Sequence, residues 1–363
     1  MKHIFPILVG MLFIVSCQQQ KSQHLGVRPM ADTVGFAQYD WQTDSIMARI
    51  KALQIDLVYQ TYLFDDPDPE SGWKTVVCPH DDYAYAGYLY PEILRDVKAS
   101  TVIIFGVAHK ARQFELENRI VFDSYTSWHG PYGDIKISPI RDEIMNNLPE
   151  EVFIVHDSMQ TIEHAVEALL PFLQYFNREV EIVSILVPYM SFDRMNEISE
   201  ILAAAIQKTV SQRGWQWGKD YAIAISSDAV HYGDRDWGGK NFARFGTDKQ
   251  GYLKAVAYEK EIISNCLMGK ISPQKLERFT KYTVKANDYK QYKWTWCGRY
   301  SVPLGLLTSN YIAELQGTSF YGILSSYGTS IDHPKLKVED LNMGITAPAN
   351  DHHWVGYAAA GYK

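Results

Sequence analysis

With 363 residues and a net charge of −7, the chain can bury a large core, and no excess of positive charge draws it to nucleic acid or to an anionic membrane surface. Four cysteines are too few for a disulfide scaffold, so side-chain packing has to hold the fold. Aromatic residues make up 13%, tyrosine foremost, which suits a secreted or surface protein with many half-buried contacts but names no ligand.

The chain opens with Met1-Lys2-His3, a short basic start. An apolar run over residues 4–15 follows, too short to span a bilayer. It ends in Ile14-Val15-Ser16-Cys17, which resembles a lipoprotein signal with Cys17 as the lipidated residue. The plain alternative is a secretory signal in which Cys17 is incidental. Residues 1–16 are therefore read as a signal peptide, 17–38 as a lipid-anchored tether and 39–363 as one folded domain. The expected location is the bacterial cell envelope, facing periplasm or exterior, with the membrane met only through the lipid. Cys78, Cys266 and Cys297 remain. Being odd in number, they leave at least one thiol unpaired or bound to a metal, unless one pairs between chains.

Residues 43–59 carry Ile46, Ile50, Leu53 and Leu57 at helical spacing. Asp, Pro and Gly then mark a loop before Thr75-Val76-Val77, a short buried strand that runs into Cys78-Pro79-His80-Asp81-Asp82. A helix is expected over 91–98 and a second buried strand over 101–107, with His109 just past its end. Strands are expected over 119–122, 135–137 and 152–155, and a helix over 141–148. A further helix starts at Asp157 or Ser158, good capping types, and runs until Pro171 perturbs it. After a strand over 181–187 and a long amphipathic helix over 192–210, a third buried strand, 222–225, leads to Ser226-Ser227-Asp228 and His231. Residues 233–246 read as an irregular segment, a lid or ordered loop. Helices over 250–267, 273–281 and 302–311 and strands over 319–325 and 354–360 complete the chain. The alternation predicts one α/β domain with a central mixed sheet.

Three strands that each deliver a histidine to the same kind of position suggest one polar site at the sheet's carboxyl edge. His80, His109 and Cys297 form the candidate metal set, since imidazole and thiolate suit Fe, Cu or Zn. Asp228 and His231 have the spacing of an orienting carboxylate and a proton carrier. Glu163, His164 and Glu167 would share one helix, with 163 and 167 on one face. Each group also has an ordinary structural reading: a loop or capping histidine, a solvated charged face, a small buried cysteine. The repeated strand-end pattern favours the functional one.

Pro79-His80 with Tyr83-Ala84-Tyr85-Ala86-Gly87, and Gly106-Val107-Ala108-His109, resemble the Memo-like protein family, also called AmmeMemoRadiSam system protein B. Glu163-His164, Glu167 with Leu170-Pro171, Ser226-Ser227-Asp228 with His231, Cys297-Gly298 and Val355-Gly356-Tyr357-Ala358 match in order over residues 70–361. The family is similar to class III extradiol dioxygenases, which implies a single three-layer domain with a central mixed sheet. It also implies His80, His109 and Cys297 as ligands of Fe(II) or Cu, Zn remaining possible, and His231 at the acid/base position. Asp228, His164 and Glu167 join the candidate catalytic residues. Asp81-Asp82 departs from the small residues the family has after its first histidine, and offers a hard ligand in place of Cys297. The implied function is a metal-dependent redox enzyme or dioxygenase acting on a small molecule or peptide in a sheet-edge pocket. Its alternative is a non-catalytic binding or scaffold module. A zinc hydrolase using Asp81 or Asp82 is a third.

Overall fold

The structure is a computed structural model and describes residues 25–53 and 72–363. Four strands, Thr75–Cys78, Tyr221–Ser226, Thr101–Val107 and Glu181–Val187, lie side by side in that order, all parallel. Each is an apolar run buried almost throughout, as parallel strands covered on both faces have to be. Antiparallel strands extend the sheet both ways. His353–Tyr362 pairs with Thr75–Cys78, followed by Tyr321–Thr329 and Gly269–Lys270. On the far side Ile120–Phe122 touches Glu181–Val187, and Phe153–Val155 runs parallel to it. With His231–Gly233, which pairs with His353–Tyr362, the described residues form a ten-stranded mixed sheet.

Alternation along the strands sorts side chains into two layers. Ile103 and Phe105 pack with Ile198 and Leu202 of helix Phe192–Gln212 and Leu304 and Leu307 of helix Ser301–Leu315. Val102 and Ile104 pack on the other face with Leu89 and Ile93 of helix Leu89–Leu94 and Phe172 of helix Leu170–Phe176. This is the expected three-layer α/β arrangement. Among the described residues, no helix is long and apolar enough to cross a membrane. Because the central strands are parallel, their carboxyl ends share one rim, and the site sits there.

Several elements differ from expectation. The first helix is Asp40–Leu53; residues 54–59 of the expected span lie outside the described residues, as do the signal segment and Cys17. Helix Leu89–Leu94 begins before Pro91, which occupies its first turn, where the missing N–H has no intrahelical partner to lose. The helix expected from residue 157 to Pro171 is interrupted. Asp157–Thr161 is helical, residues 162–166 are not, and the chain resumes as a 3-10 turn, Glu167–Leu169, and helix Leu170–Phe176. The Glu163 carboxylate accepts from the N–H groups of His164 and Ala165, a local bond that competes with helix formation. Pro171 starts the second helix instead of ending the first. Glu163 and Glu167 therefore do not share a helical face.

Residues 25–38, expected within a tether, belong to the folded body. Leu25–Arg28 is a strand parallel to Tyr125–Trp128, and Phe36 is buried. Arg28 is the fastener. Its guanidinium pairs with the buried Glu167, donates to the Gln160 carbonyl at 2.8 and 3.0 Å, and lies 4.1 Å from the Trp128 ring centroid. Glu167 also accepts from the N–H groups of Ala31 at 2.9 Å and Asp32 at 2.6 Å. Removing one partner of a buried pair leaves the other charged and unmatched. Glu167→Ala should therefore cost about 3–5 kcal/mol in urea unfolding. A loss under about 1 kcal/mol, the scale of an exposed pair, would contradict this structural role.

Candidate functional site

His80 lies two residues beyond Thr75–Cys78 and His109 two beyond Thr101–Val107. His231 opens a short strand, His231–Gly233, that pairs with His353–Tyr362. Cys297 comes from a distant segment, fixed by its N–H to the Ala229 carbonyl and by the Val230–Trp296 bridge. Two glycines permit the close approach. A Cβ on Gly298 would stand 2.1 Å from Ser227 Oγ, and one on Gly106 would stand 2.7 Å from Val166. The first lets the Cys297 turn sit on the Ser226 strand end. The second lets residues 163–166 lie against the strand that carries His109.

The sulfur of Cys297 lies 3.1 Å from His109 Nε2 and 3.4 Å from His80 Nε2. Both rings are held through their other nitrogen. Ser226 Oγ donates to the Ala165 carbonyl, so it accepts from His80 Nδ1 at 2.9 Å. Glu163 accepts from His109 Nδ1 and from the His109 N–H, each at 2.7 Å. With Nδ1 protonated in both rings, each Nε2 turns a lone pair toward the sulfur. Asp228 Oδ2 is also 3.4 Å from His80 Nε2, while its Oδ1 accepts the His80 N–H at 2.9 Å. Lone pairs and anionic atoms at these separations repel unless positive charge lies between them.

Protons or a metal ion can supply that charge. Burial by itself would raise the Cys297 thiol, but His109 and His80 outweigh it and bring it well below its ordinary value. Burial opposes charge on the imidazoles too; Asp228 beside His80 and Glu163 beside His109, each joined by the thiolate, raise both. Burial likewise works against Glu163 and Asp228, yet the facing imidazoles bring each carboxyl down to about 2.

The donor set fits a borderline metal. Tetrahedral to octahedral geometry with typical Zn–N and Zn–S lengths sets neighbouring N and S donors about 3.1–3.6 Å apart. The two N–S distances fall there. His164 adds a third imidazole: donor nitrogens of His80, His109 and His164 lie within 4.8 Å of one another, as do donor atoms of His80, Asp228 and Cys297. The His164 ring stacks on His109, centroids 4.7 Å apart. His231 Nε2 is buried without a hydrogen bond, 3.7 Å from Asp228 Oδ2.

The other expected residues are placed elsewhere. Asp81 accepts from the Tyr357 hydroxyl at 2.5 Å, and Asp82 from Thr346 N–H at 2.6 Å and its hydroxyl at 3.0 Å. Burial and the neighbouring carboxylates push them to about 6 and about 7. The carboxylate beside the sulfur is Asp228, and neither Asp81 nor Asp82 joins a donor cluster. Glu167 is engaged with Arg28, away from His164. Ser226 and Glu163 are the ring holders, a role that sequence reasoning gave to neither. The signal for Glu163 was its place directly before His164, and for Ser226 its place as the last residue of a buried strand.

Two clefts open beside the centre. One, about 400 Å³, is lined by His80, His164, Asp82, Phe36, Lys110 and Thr346 among others. The second, about 220 Å³, is lined by His231, Asp81, Trp237, Tyr85 and His353 among others. Trp237, from the irregular 233–246 segment, stacks on His353 at 4.0 Å and lies 5.1 Å from the His231 ring.

The Glu163 assignment has a pH signature. Its folded value, about 2, is below its ordinary 4.5, so its stabilisation is complete above pH 4.5 and is lost as pH falls toward 2. The gap in urea midpoint between wild type and Glu163→Gln, both chelated, should be largest above pH 4.5 and close over that window. A gap independent of pH would refute the pairing.

Comparison with known proteins agrees with this arrangement. The profile described as "Memo-like protein" matches residues 46–337. A MEMO1 family protein of Methanosarcina barkeri is 28% identical over 158 residues, covering 43% of this chain and 54% of that protein. One from Saccharolobus solfataricus is 30% identical over 169 residues, covering 43% and 52%, and one from Methanothermobacter thermautotrophicus is 25% identical over 169 residues, covering 45% and 56%. The aligned regions span about half the length of these curated relatives. With most of its length under one family profile, the chain belongs to the Memo-like protein family.

Proposed function

We propose that His80, His109 and Cys297 hold one transition-metal ion, iron(II) or copper, with zinc the remaining candidate, and that the protein uses it in redox chemistry on a small molecule or peptide in the adjoining cleft. One observation carries this reading: two Nε2 lone pairs, each fixed by a partner on Nδ1, meet a buried sulfur at coordination spacing. Such donors favour iron, copper or zinc over hard cations. When bound, iron or copper supplies Lewis acidity and electron transfer at this point. Similarity of the family to extradiol dioxygenases supports an oxygen-dependent reaction.

The chain's own residues would do the rest. Ser226 and Glu163 hold the ligand rings in one tautomer. Phe36 and Ile162 give the cleft apolar lining that limits water there, and Lys110 and Asp32 give it charged lining. His231 exchanges a proton with a ligand in the second cleft, where its ring is part of the lining, and Asp228 orients the ring. The ionised Asp228 stabilises the imidazolium that results. The proposal includes attachment to the cell envelope through Cys17.

Protein purified without a histidine tag should contain near-stoichiometric iron, copper or zinc by elemental analysis. His80→Ala and Cys297→Ser should lose it, and Ser226→Ala should weaken metal affinity about 10–100-fold. Equal metal content in wild type and both ligand variants would end the metal assignment and leave the binding-module reading. Ligation also shields sulfur. Cys297 should react slowly with a thiol reagent in the metal-loaded protein and faster after chelation, measured by peptide mass mapping. Equal rates would count against a sulfur ligand.

A further inference from the structure

A third cleft, about 490 Å³, differs from the other two in charge. It is lined by Lys240, Arg244, Lys285 and Lys293 with the rings of Phe242 and Tyr292, and no carboxylate is among its lining residues. It shares no lining residue with the two clefts beside the histidine–cysteine centre. Two separate segments build it, residues 240–244 and 285–295. Nearby lysines outside the cleft are neutralised: Lys281 by Glu277 and Lys290 by Glu117. Those inside it have other company. Lys293 Nζ donates to the Lys281 carbonyl, and the Arg244 guanidinium lies over the rings of Phe245 and Tyr258. Among the described residues none of the four has a carboxylate within ion-pair distance.

Four uncompensated cations in one concavity repel each other, in a chain whose net charge is −7. A concavity lined by one sign of charge raises the local concentration of anions that enter, an effect that salt weakens. The volume is that of a small-molecule site, and its concavity does not suit a membrane surface or a duplex. Phe242 and Tyr292 add apolar area. The Tyr292 ring is fixed from behind by the Arg299 guanidinium, 3.6 Å from its centroid. Asn241 and Gln291 bring amide groups to the same lining.

We propose that this cleft binds a small organic anion carrying two or more negative charges, on phosphate or carboxylate groups, beside an apolar or planar body. The site lies behind His231. Phe242 N–H donates to the Gly233 carbonyl, and Thr295, part of the lining, exchanges two hydrogen bonds with the His231 backbone. The proposal does not depend on a metal at Cys297.

The test is calorimetric titration of the full chain with ATP and, separately, citrate, at physiological salt. At least one should bind, with affinity falling as salt rises. The arm that binds tells phosphate from carboxylate recognition. The double variant Lys285→Glu/Lys293→Glu should weaken binding by about tenfold or more. Its metal content and melting temperature should match wild type, which separates this result from failure of the metal site. Lys240→Gln, on an exposed segment, should shift affinity in the same direction and serves if the double variant folds poorly. Absence of binding by both probes, or unchanged affinity in the variants, would overturn the proposal.

Discussion

The centre depends on a sulfur held between two imidazoles whose free nitrogens both face it. No single stretch of chain makes this contact. His80 and His109 come from parallel strands separated in the sheet by Tyr221–Ser226, and that middle strand ends in Ser226, the residue that fixes the His80 ring. Cys297 arrives by antiparallel contact with residues 229–230. Parallel order brings the strand ends to one rim, and the close approaches at Gly106 and Gly298 set how near the remaining segments come. The three-layer fold is in this sense the means of bringing a thiol and two imidazoles within 3.1–3.4 Å.

Charge explains why such a cluster can stay buried. Glu163, Asp228 and the Cys297 thiolate are three anionic groups in a region largely shut off from water. Against these, two imidazolium ions or one divalent metal with two neutral imidazoles would supply the same two positive units, and His231, raised despite burial by Asp228 and the Cys297 thiolate, adds to either. Exchanging two protons for one divalent ion therefore keeps the electrostatics of the interior nearly constant. On the proposed metal reading, binding would need no new counter-charge in the interior. The lowered carboxyls of Glu163 and Asp228 are the groups that make this exchange symmetrical.

Much of this was legible in the sequence. Apolar runs bounded by turn residues located the four central strands, because strands covered on both faces must be apolar throughout. The recurrence of a histidine after such runs located the rim, and Cys297 was linked to it by donor chemistry and by family resemblance. What periodicity could not convey were the local bonds. Glu163, His164 and Glu167 are spaced like a helical face, yet the Glu163 carboxylate caps neighbouring N–H groups, breaks the helix and turns to His109. Glu167 is drawn the other way by Arg28, 139 residues distant in sequence. Residues 25–38 were expected within the tether, and the strand pairing of Leu25–Arg28, the buried Phe36 and the Arg28–Glu167 pair make them part of the body.

Asp81-Asp82, the clearest departure from the family pattern, has a role that donor chemistry alone would miss. Asp82 accepts two bonds from Thr346, and Asp81 accepts one from Tyr357, so each carboxyl ties the His80 loop to the carboxyl-terminal part of the chain. Asp81, Asp82 and Thr346 line both clefts beside the centre. Together they form a partition, with His80 and His164 on one side and His231 on the other. Small residues at 81 and 82 would remove these bonds and merge the two openings. The pair thus sets the shape of the approach to the centre, and its raised protonation, to about 6 and about 7, follows first from burial, with Asp228 adding to it at Asp81 and Asp81 adding to it at Asp82.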